Sequence, residues 1–244
     1  MKTLVVVPTY NEAGNLPHLV ERLFSLGIPD LELLVVDDNS PDGTAAIAEG
    51  LEAAHPQQIH VLSRAAKEGL GPAYIAGYKE ALRLGADVVI QMDADLSHPP
   101  EYIPDFLESM GNADVVVGSR YVPGGGAAGE WGLLRRAISR WGDLYVRWAM
   151  GLHLRDTKSG FKGFRREVLE QLALDSLTSK GFIFQAEVAF RCQKMGFRIK
   201  EVPFIFQERG AGRSKMSLSI MGEALWRSFR IRWSGQGLRE GTKT

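Results

Sequence analysis

Five short apolar runs recur at a similar interval through the first half of the chain, and this rhythm leaves few folds open to it. They begin at Thr3 (Thr-Leu-Val-Val-Val), Glu32 (Glu-Leu-Leu-Val-Val), Ile59 (Ile-His-Val-Leu), Asp87 (Asp-Val-Val-Ile) and Asp114 (Asp-Val-Val-Val). Helical patterns lie between them: Leu16, Leu19, Val20, Leu23 and Phe24 follow the i, i+3, i+4 spacing, as do Ala76, Tyr78, Ala81 and Leu82. Near-continuous Val/Leu/Ile strands alternating with amphipathic helices predict an α/β fold, a mostly parallel sheet flanked by helices on both faces.

In such sheets ligands bind beyond the carboxyl ends of the strands. Three acid-bearing loops are expected there: Pro8-Thr9-Tyr10-Asn11-Glu12, Asp37 to Thr44, and Asp93-Ala94-Asp95-Leu96-Ser97-His98-Pro99-Pro100. Past Tyr121 the rhythm fades into a Gly-rich loop (Gly124 to Gly129) and a helix-like stretch from Trp131 to Leu152. Short strands at Arg198 to Val202 and Phe204 to Phe206 follow, and Leu218, Met221, Leu225, Trp226 and Phe229 predict a last amphipathic helix. The expected organisation is one domain over residues 1–217 and a basic helix with a tail over 218–244.

Asp93 and Asp95 stand two apart at a strand end, so an extended backbone would point both carboxylates to one side. Either they hold a hard cation of the Mg²⁺ or Mn²⁺ kind, which leaves coordination positions for phosphates, or they are turn acids ahead of proline. Asp42 or Thr44 caps the next helix, whereas Asp38 can accept hydrogen bonds from a ribose or a base. The glycines at 124, 126 and 129 spell G-x-G-x-x-G but do not lie directly between a strand and a helix, so they predict a pliant loop rather than a dinucleotide site. His98 has no second histidine at ligand spacing and Cys192 sits in an apolar helical pattern, and both are read as structural. Arg120, just past a strand end, can clamp a phosphate through two N–H groups. Arg135, Arg209 and Lys215 complete a candidate phosphate-binding set.

The net charge of zero hides an uneven distribution. Residues 131–166 carry nine Lys/Arg against Asp143 and Asp156, and residues 209–244 carry eight against Glu223 and Glu240. Both basic segments contain tryptophan, so they are either solvated helix faces or contacts for an anionic partner.

Taken in order, Val-Val-Pro-Thr-Tyr-Asn-Glu, Val-Asp-Asp-Asn-Ser-Pro-Asp-Gly-Thr, Asp-Ala-Asp-Leu-Ser-His-Pro-Pro, Gly-Ser-Arg-Tyr and Arg-Gly-Ala-Gly-Arg-Ser-Lys resemble the GT-A fold, family-two inverting glycosyltransferases, and within them the polyprenyl- or dolichyl-phosphate mannose synthases. The resemblance runs from Lys2 to Ser217 and implies a GT-A catalytic domain over 1–217. It implies that Pro8, Tyr10, Glu12, Val36 and Asp38 surround the guanosine of GDP-mannose. Asp93, Ala94 and Asp95 would hold the diphosphate and a Mg²⁺ or Mn²⁺ ion, with Arg209 and Lys215 closing on the donor phosphates. Arg120 and Arg135 match positions that bind the phosphate of a polyprenyl phosphate acceptor, and Asp95, Arg120 and Arg135 would carry catalysis. Relatives have Gln or Ser where Ser97 stands.

A phosphate monoester with a second pKa of about 6 is largely a dianion at neutral pH, so such a reaction needs no dedicated base. The expected partners are GDP-mannose, polyprenyl phosphate and a membrane surface or membrane partner subunit, with no nucleic acid. The short apolar N-terminal run is unlike a signal peptide, and no run approaches the roughly 20 apolar residues that span a bilayer. The chain is therefore expected in the cytoplasm, on the cytoplasmic face of a membrane. In Trp226-Arg227-Ser228-Phe229-Arg230-Ile231-Arg232-Trp233 the interleaving suits either an interfacial helix or one packed on the core with arginines outward. Two other readings stay open: glycosyl transfer to the same lipid from a UDP-sugar, and a non-catalytic nucleotide-sugar-binding subunit. A sugar nucleotidyltransferase is disfavoured because no Gly-rich basic loop follows the first strand.

Overall fold

A computed structural model describes residues 1–128, 133–179, 181, 183–207 and 231–232, with residues 133–138 described by their backbone alone. The expected alternation opens the chain: β1 (Thr3–Thr9), α1 (Leu16–Phe24), β2 (Leu31–Asp37), α2 (Thr44–Ala54), β3 (Ile59–Ser63), α3 (Leu70–Arg83) and β4 (Val88–Gln91). Then come α4 (Ile103–Ser109), β5 (Val115–Ser119), β6 (Gly126–Ala127), α5 (Leu133–Met150), β7 (Lys162–Arg165), α6 (Arg166–Gln171), α7 (Ile183–Lys194), β8 (Ile199–Pro203) and β9 (Ile205–Phe206). Pro17 and Pro104 fall in the first turns of α1 and α4, where a missing N–H costs nothing.

A seven-stranded sheet in the order β3-β2-β1-β4-β7-β5-β8 forms the middle layer, and β6 pairs with β9 beside it. Both faces are covered, and residue parity decides which side chain goes where. Leu4 and Val6 of β1 with Leu34 and Val36 of β2 meet Ala73, Tyr74, Tyr78 and Ala81 of α3. Val5, Val7, Leu33 and Val35 meet Leu16, Leu19, Val20 and Leu23 of α1 on the other face. A Cβ on Gly77 would lie 2.4 Å from Val6 Cγ1, so α3 packs backbone-close to β1. That approach carries Tyr74, one turn earlier, to the loop after β4.

β7 runs antiparallel to both β4 and β5 at the centre of an otherwise parallel sheet. No apolar run predicted it, because Lys-Gly-Phe-Arg carries two cations. Each cation has its own compensation: Lys162 enters a buried polar network, and Arg165 Nε donates to Ala113 O at 3.1 Å. The Gly-rich loop contributes β6, and the short strands predicted after Arg198 are β8 and β9. The predicted C-terminal helix lies outside the described residues apart from Ile231, which packs on the core, and Arg232, whose Nη1 donates to Trp148 O and Ala149 O (3.3 and 3.2 Å) at the end of α5.

Candidate active site

The chain lays down β1, β2 and β3 in one direction and then returns to place β4 against the free edge of β1. The crevice created at such a reversal lies between the carboxyl ends of β1 and β4. The three acid-bearing loops all emerge there.

The first two loops are tied to each other. Asp37 accepts Thr9 Oγ1–H (2.9 Å) and the Ser40 N–H (2.9 Å), Thr44 Oγ1 accepts the Glu12 N–H (2.9 Å), and Asp42 accepts the Ala13 and Thr44 N–H groups at 3.1 Å. Asp42 thus holds the turn that leads into α2, but neither it nor Thr44 is the cap expected there: the N-cap position falls to Gly43, with a φ of 90° and no side-chain cap bond. Asp37 clamps the first two loops together. Asp38, buried at the edge, is ion-paired to Arg64, which also pairs with Glu68. Burial raises the Asp38 carboxyl above its ordinary range and Arg64 pulls it back. The sequence reading missed Arg64, although a cation directly after β3 stands on the ligand edge by the same rule that picked out the acids. Tyr10 is exposed, with Lys67 Nζ 3.5 Å from its ring centroid. Glu12 accepts from Asn15 Nδ2 at 2.7 Å, and Pro8 is half-buried opposite Val36 in the β1–β2 register. Val36 is fully buried, its side chain packed in the core against α3.

Asp93 and Asp95 follow β4, but the extended backbone ends first. Residues 94 and 95 lie in a turn and Leu96 has a φ of 62°, so the two-apart strand geometry does not explain how the carboxylates are aimed. The surroundings do. Tyr74 OH donates to Asp93 Oδ1 at 3.2 Å, the Asp93 N–H donates to His98 Nδ1 at 3.0 Å, and the Ser97 N–H donates to Asp95 Oδ1 at 3.0 Å. Burial, reinforced by Asp93, holds the Tyr74 phenol well above its ordinary pKa and keeps it a donor. His98 is buried and stacked on Phe161 with centroids 5.3 Å apart, as its structural reading required. Ala94 is buried in the core between the two carboxylates. A Cβ on Gly160 would fall 3.5 Å from Asp93 Oδ1 and 3.1 Å from His98 Cε1, so the 159–162 segment walls this carboxylate closely.

Arg120 is placed on the same edge, but not as a free two-pronged clamp. Its Nε and Nη2 both donate to Asp156 at 2.7 Å, and its backbone N–H donates to the same carboxylate at 3.0 Å. Asp156 is fully buried and anchored in turn by the bond from its own N–H to Glu201 Oε1 at 3.0 Å. With two donors committed, Nη1 is the nitrogen left to face an anion. Asp156 was not singled out from the sequence. Arg135 falls in α5, where only the backbone is described, and Arg209 and Lys215 lie outside the described residues.

A buried polar network beneath Asp93 also escaped sequence reasoning. Gln91 Nε2 donates to Gly160 O (2.7 Å) and Gln185 Oε1 (2.8 Å), Tyr78 OH donates to Gln91, and Lys162 Nζ donates to Gln185 Oε1 (2.8 Å) and to Ser159 O. It fixes the 159–162 wall from below. Burial pushes the Lys162 ammonium down from its ordinary 10.5 to about 7. The unfolded chain holds that proton up to its ordinary pKa, so this group makes stability rise with pH between about 7 and 10. Against a Lys162→Met variant, urea unfolding should show the native protein gaining on the variant as pH rises through that window. A constant gap would mean that Lys162 titrates normally. Cys192, fully buried with its thiol pushed up to about 12, is inert.

Residues 4–173 match the family described as glycosyl transferase family 2. The chain is 45% identical to the undecaprenyl-phosphate mannosyltransferase of Micrococcus luteus, covering 99% of this chain and 100% of the relative. It is 44% identical to the polyprenol monophosphomannose synthase of Mycolicibacterium smegmatis, covering 93% and 85%. Among solved structures it resembles the mannosyl-3-phosphoglycerate synthase of Rubrobacter xylanophilus (TM-score 0.66, 19% identity, 100% of this chain and 77% of that one). It also resembles the glucosyl-3-phosphoglycerate synthase of Mycobacterium tuberculosis in complex with Mn²⁺, UDP and glucosyl-3-phosphoglycerate (TM-score 0.65, 18% identity, 98% and 81%). At these identities the two structures speak for the fold, which is of the GT-A kind.

Proposed function

Because this chain belongs to glycosyl transferase family 2, we propose that it transfers mannose from GDP-mannose to a polyprenyl phosphate, with inversion, releasing GDP. The observation that carries the proposal is the near full-length identity to two relatives whose names join a mannosyl group to a polyprenyl phosphate. The site's chemistry supports it. Acids and Arg64 line the donor side of the crevice, Asp93 and Asp95 stand at its centre, and Arg120 stands beyond them.

The residues present fit a Mg²⁺ or Mn²⁺ ion. Among the described residues no third acidic, His or Cys ligand joins the two carboxylates, which suits an ion that takes its remaining ligands from a diphosphate and water. Ser97 Oγ, sealed from solvent, has no hydrogen-bond partner among the described residues, so a polar group two residues from Asp95 is still to be satisfied. Asp93 and Asp95 would hold the ion, which would supply charge neutralisation for the departing diphosphate. In the transfer, an acceptor phosphate oxygen forms a bond to the anomeric carbon while the bond from that carbon to the GDP oxygen breaks, GDP keeping the electron pair. The chain's part is to align that oxygen through Arg120 and Arg135 and to let Tyr74 and the Gly160 wall fix Asp93.

A polyprenyl phosphate lies in a bilayer, and no helix among the described residues is long and apolar enough to cross one. Trp141 and Trp148 are 70% and 67% exposed on one side of α5, with Leu144 between them, a face suited to meeting the membrane surface.

Incubation with GDP-mannose, Mn²⁺ and polyprenyl phosphate should yield lipid-linked mannose and free GDP. Binding of GDP-mannose without GDP release on adding lipid would indicate a non-catalytic subunit instead. In thermal-shift ranking with Mn²⁺, GDP-mannose should raise Tm more than UDP-glucose at equal concentration, and the reverse order would reassign the donor.

A further inference from the structure

A cavity of about 280 Å³ opens beside the acceptor side of the crevice, lined by Tyr121, Arg140, Asp143, Leu144, Arg147 and Arg155. Arg140, Leu144 and Arg147 share one flank of α5 by helical spacing, and Arg155 comes from the segment after it. The one carboxylate in the lining, Asp143, is buried: its Oδ1 accepts from Thr157 Oγ1 at 2.8 Å, and its Oδ2 lies 3.3 Å from Lys158 Nζ as an ion pair without a hydrogen bond. None of the three guanidiniums is ion-paired to a carboxylate among the described residues. Like charges gathered at one small cavity repel unless an anion comes between them, and the planar arginine fork matches a phosphate.

Two neighbours say which phosphate. Exposed Trp141, Leu144 and Trp148 lie on the same helix, and aromatic side chains mixed with arginines suit the interfacial layer of a bilayer. Arg140 and Arg120 both stand by the Tyr121 ring, at 5.8 and 5.2 Å from its centroid, so the cavity is one side chain away from the acceptor arginine. We propose that this cavity binds the headgroup phosphate of an anionic phospholipid. It thereby seats α5 on the membrane with the acceptor side of the crevice turned toward the lipid. The proposal rests on the polyprenyl phosphate reading for its orientation, but the binding itself does not.

Flotation with vesicles of neutral phosphatidylcholine, and with vesicles that also contain phosphatidylglycerol, tests it. The native protein should float with the anionic vesicles, and the triple variant Arg140→Gln, Arg147→Gln, Arg155→Gln should lose on the order of 100-fold in affinity for them. Equal flotation of the two proteins would overturn the proposal. So would a Tm rise with inorganic phosphate alone that the triple variant lacks while flotation is unchanged, since the site would then serve free phosphate. Arg147→Gln alone, at an exposed helical position, should show about a fivefold loss and gives the same reading should the triple variant fold poorly. Mannosyl transfer to a short, water-soluble prenyl phosphate without vesicles should be equal in native and variant proteins. If that transfer is absent from both while flotation still separates them, the mannosyl-transfer reading fails and the lipid site stands.

Discussion

Asp95→Asn is expected to lower kcat/KM for mannosyl transfer about a thousandfold, roughly 4 kcal/mol of transition-state stabilisation, while leaving the melting temperature almost unchanged. The separation follows from what Asp95 does in the fold. Its Oδ1 accepts the Ser97 N–H at 3.0 Å, a bond that an asparagine carbonyl can also accept, so the turn survives. What is lost is the negative charge that would bind the divalent ion and through it the diphosphate. Steady-state kinetics over a Mn²⁺ titration, with Mn²⁺ binding followed separately by electron paramagnetic resonance, should show weakened metal binding and slowed turnover together. Near-normal turnover would remove the metal from the reaction. A fall in Tm comparable to the loss of activity would make Asp95 a structural residue.

Asp156→Asn should act in the opposite proportion, on stability first. The buried Asp156 carboxylate takes two Arg120 side-chain N–H groups at 2.7 Å and the Arg120 backbone N–H at 3.0 Å. Neutralising it leaves a mostly buried guanidinium without its counter-charge, which costs about 3–5 kcal/mol and should lower Tm by roughly 10 °C in a domain of this size. The acceptor KM should rise as well, because Arg120 loses the partner that aims it. The double change Asp156→Asn with Arg120→Met is the informative control. Stability should largely return, since no unpaired charge remains, while transfer stays lost. Recovery of transfer in the double variant would show that Arg120 does not touch the acceptor.

What the sequence revealed about this protein, and what it hid, divides along a physical line. Strands buried on both faces leave near-continuous apolar runs, so β1, β2, β4 and β5 were legible, the half-buried edge strand β3 showed through Ile59, Val61 and Leu62, and the ligand edge followed from the carboxyl-end rule. Asp38, Asp93, Asp95 and Arg120 were singled out because they sit in loops directly after those strands, and the structure puts those loops on the ligand edge. β7 was hidden because only Phe164 of its four residues is a buried large apolar side chain, while Lys162 and Arg165 are accommodated through hydrogen bonds that they donate. Asp156, Tyr74, Gln91 and Gln185 were hidden for a related reason: their partners are 36, 19, 69 and 23 positions away, and no local pattern records such pairings. Val36 shows the converse, a residue marked by its place in a motif whose side chain belongs to the core.

The antiparallel insertion of β7 between β4 and β5 also orders events during synthesis. β1 to β4 can pair among themselves once residue 91 has emerged, but the outer edge of β4 then lacks its neighbour until residues 162–165 arrive. β5, made earlier, cannot dock beside β4, because its place next to that strand belongs to β7. The half of the molecule that carries Asp93 and Asp95 and the half that carries Arg120 are thus joined late, by a four-residue splice of high sequence separation, and closing it is the step expected to limit the folding rate. A nascent chain stalled before residue 162 would hold an unpaired strand edge, the kind that recruits other chains.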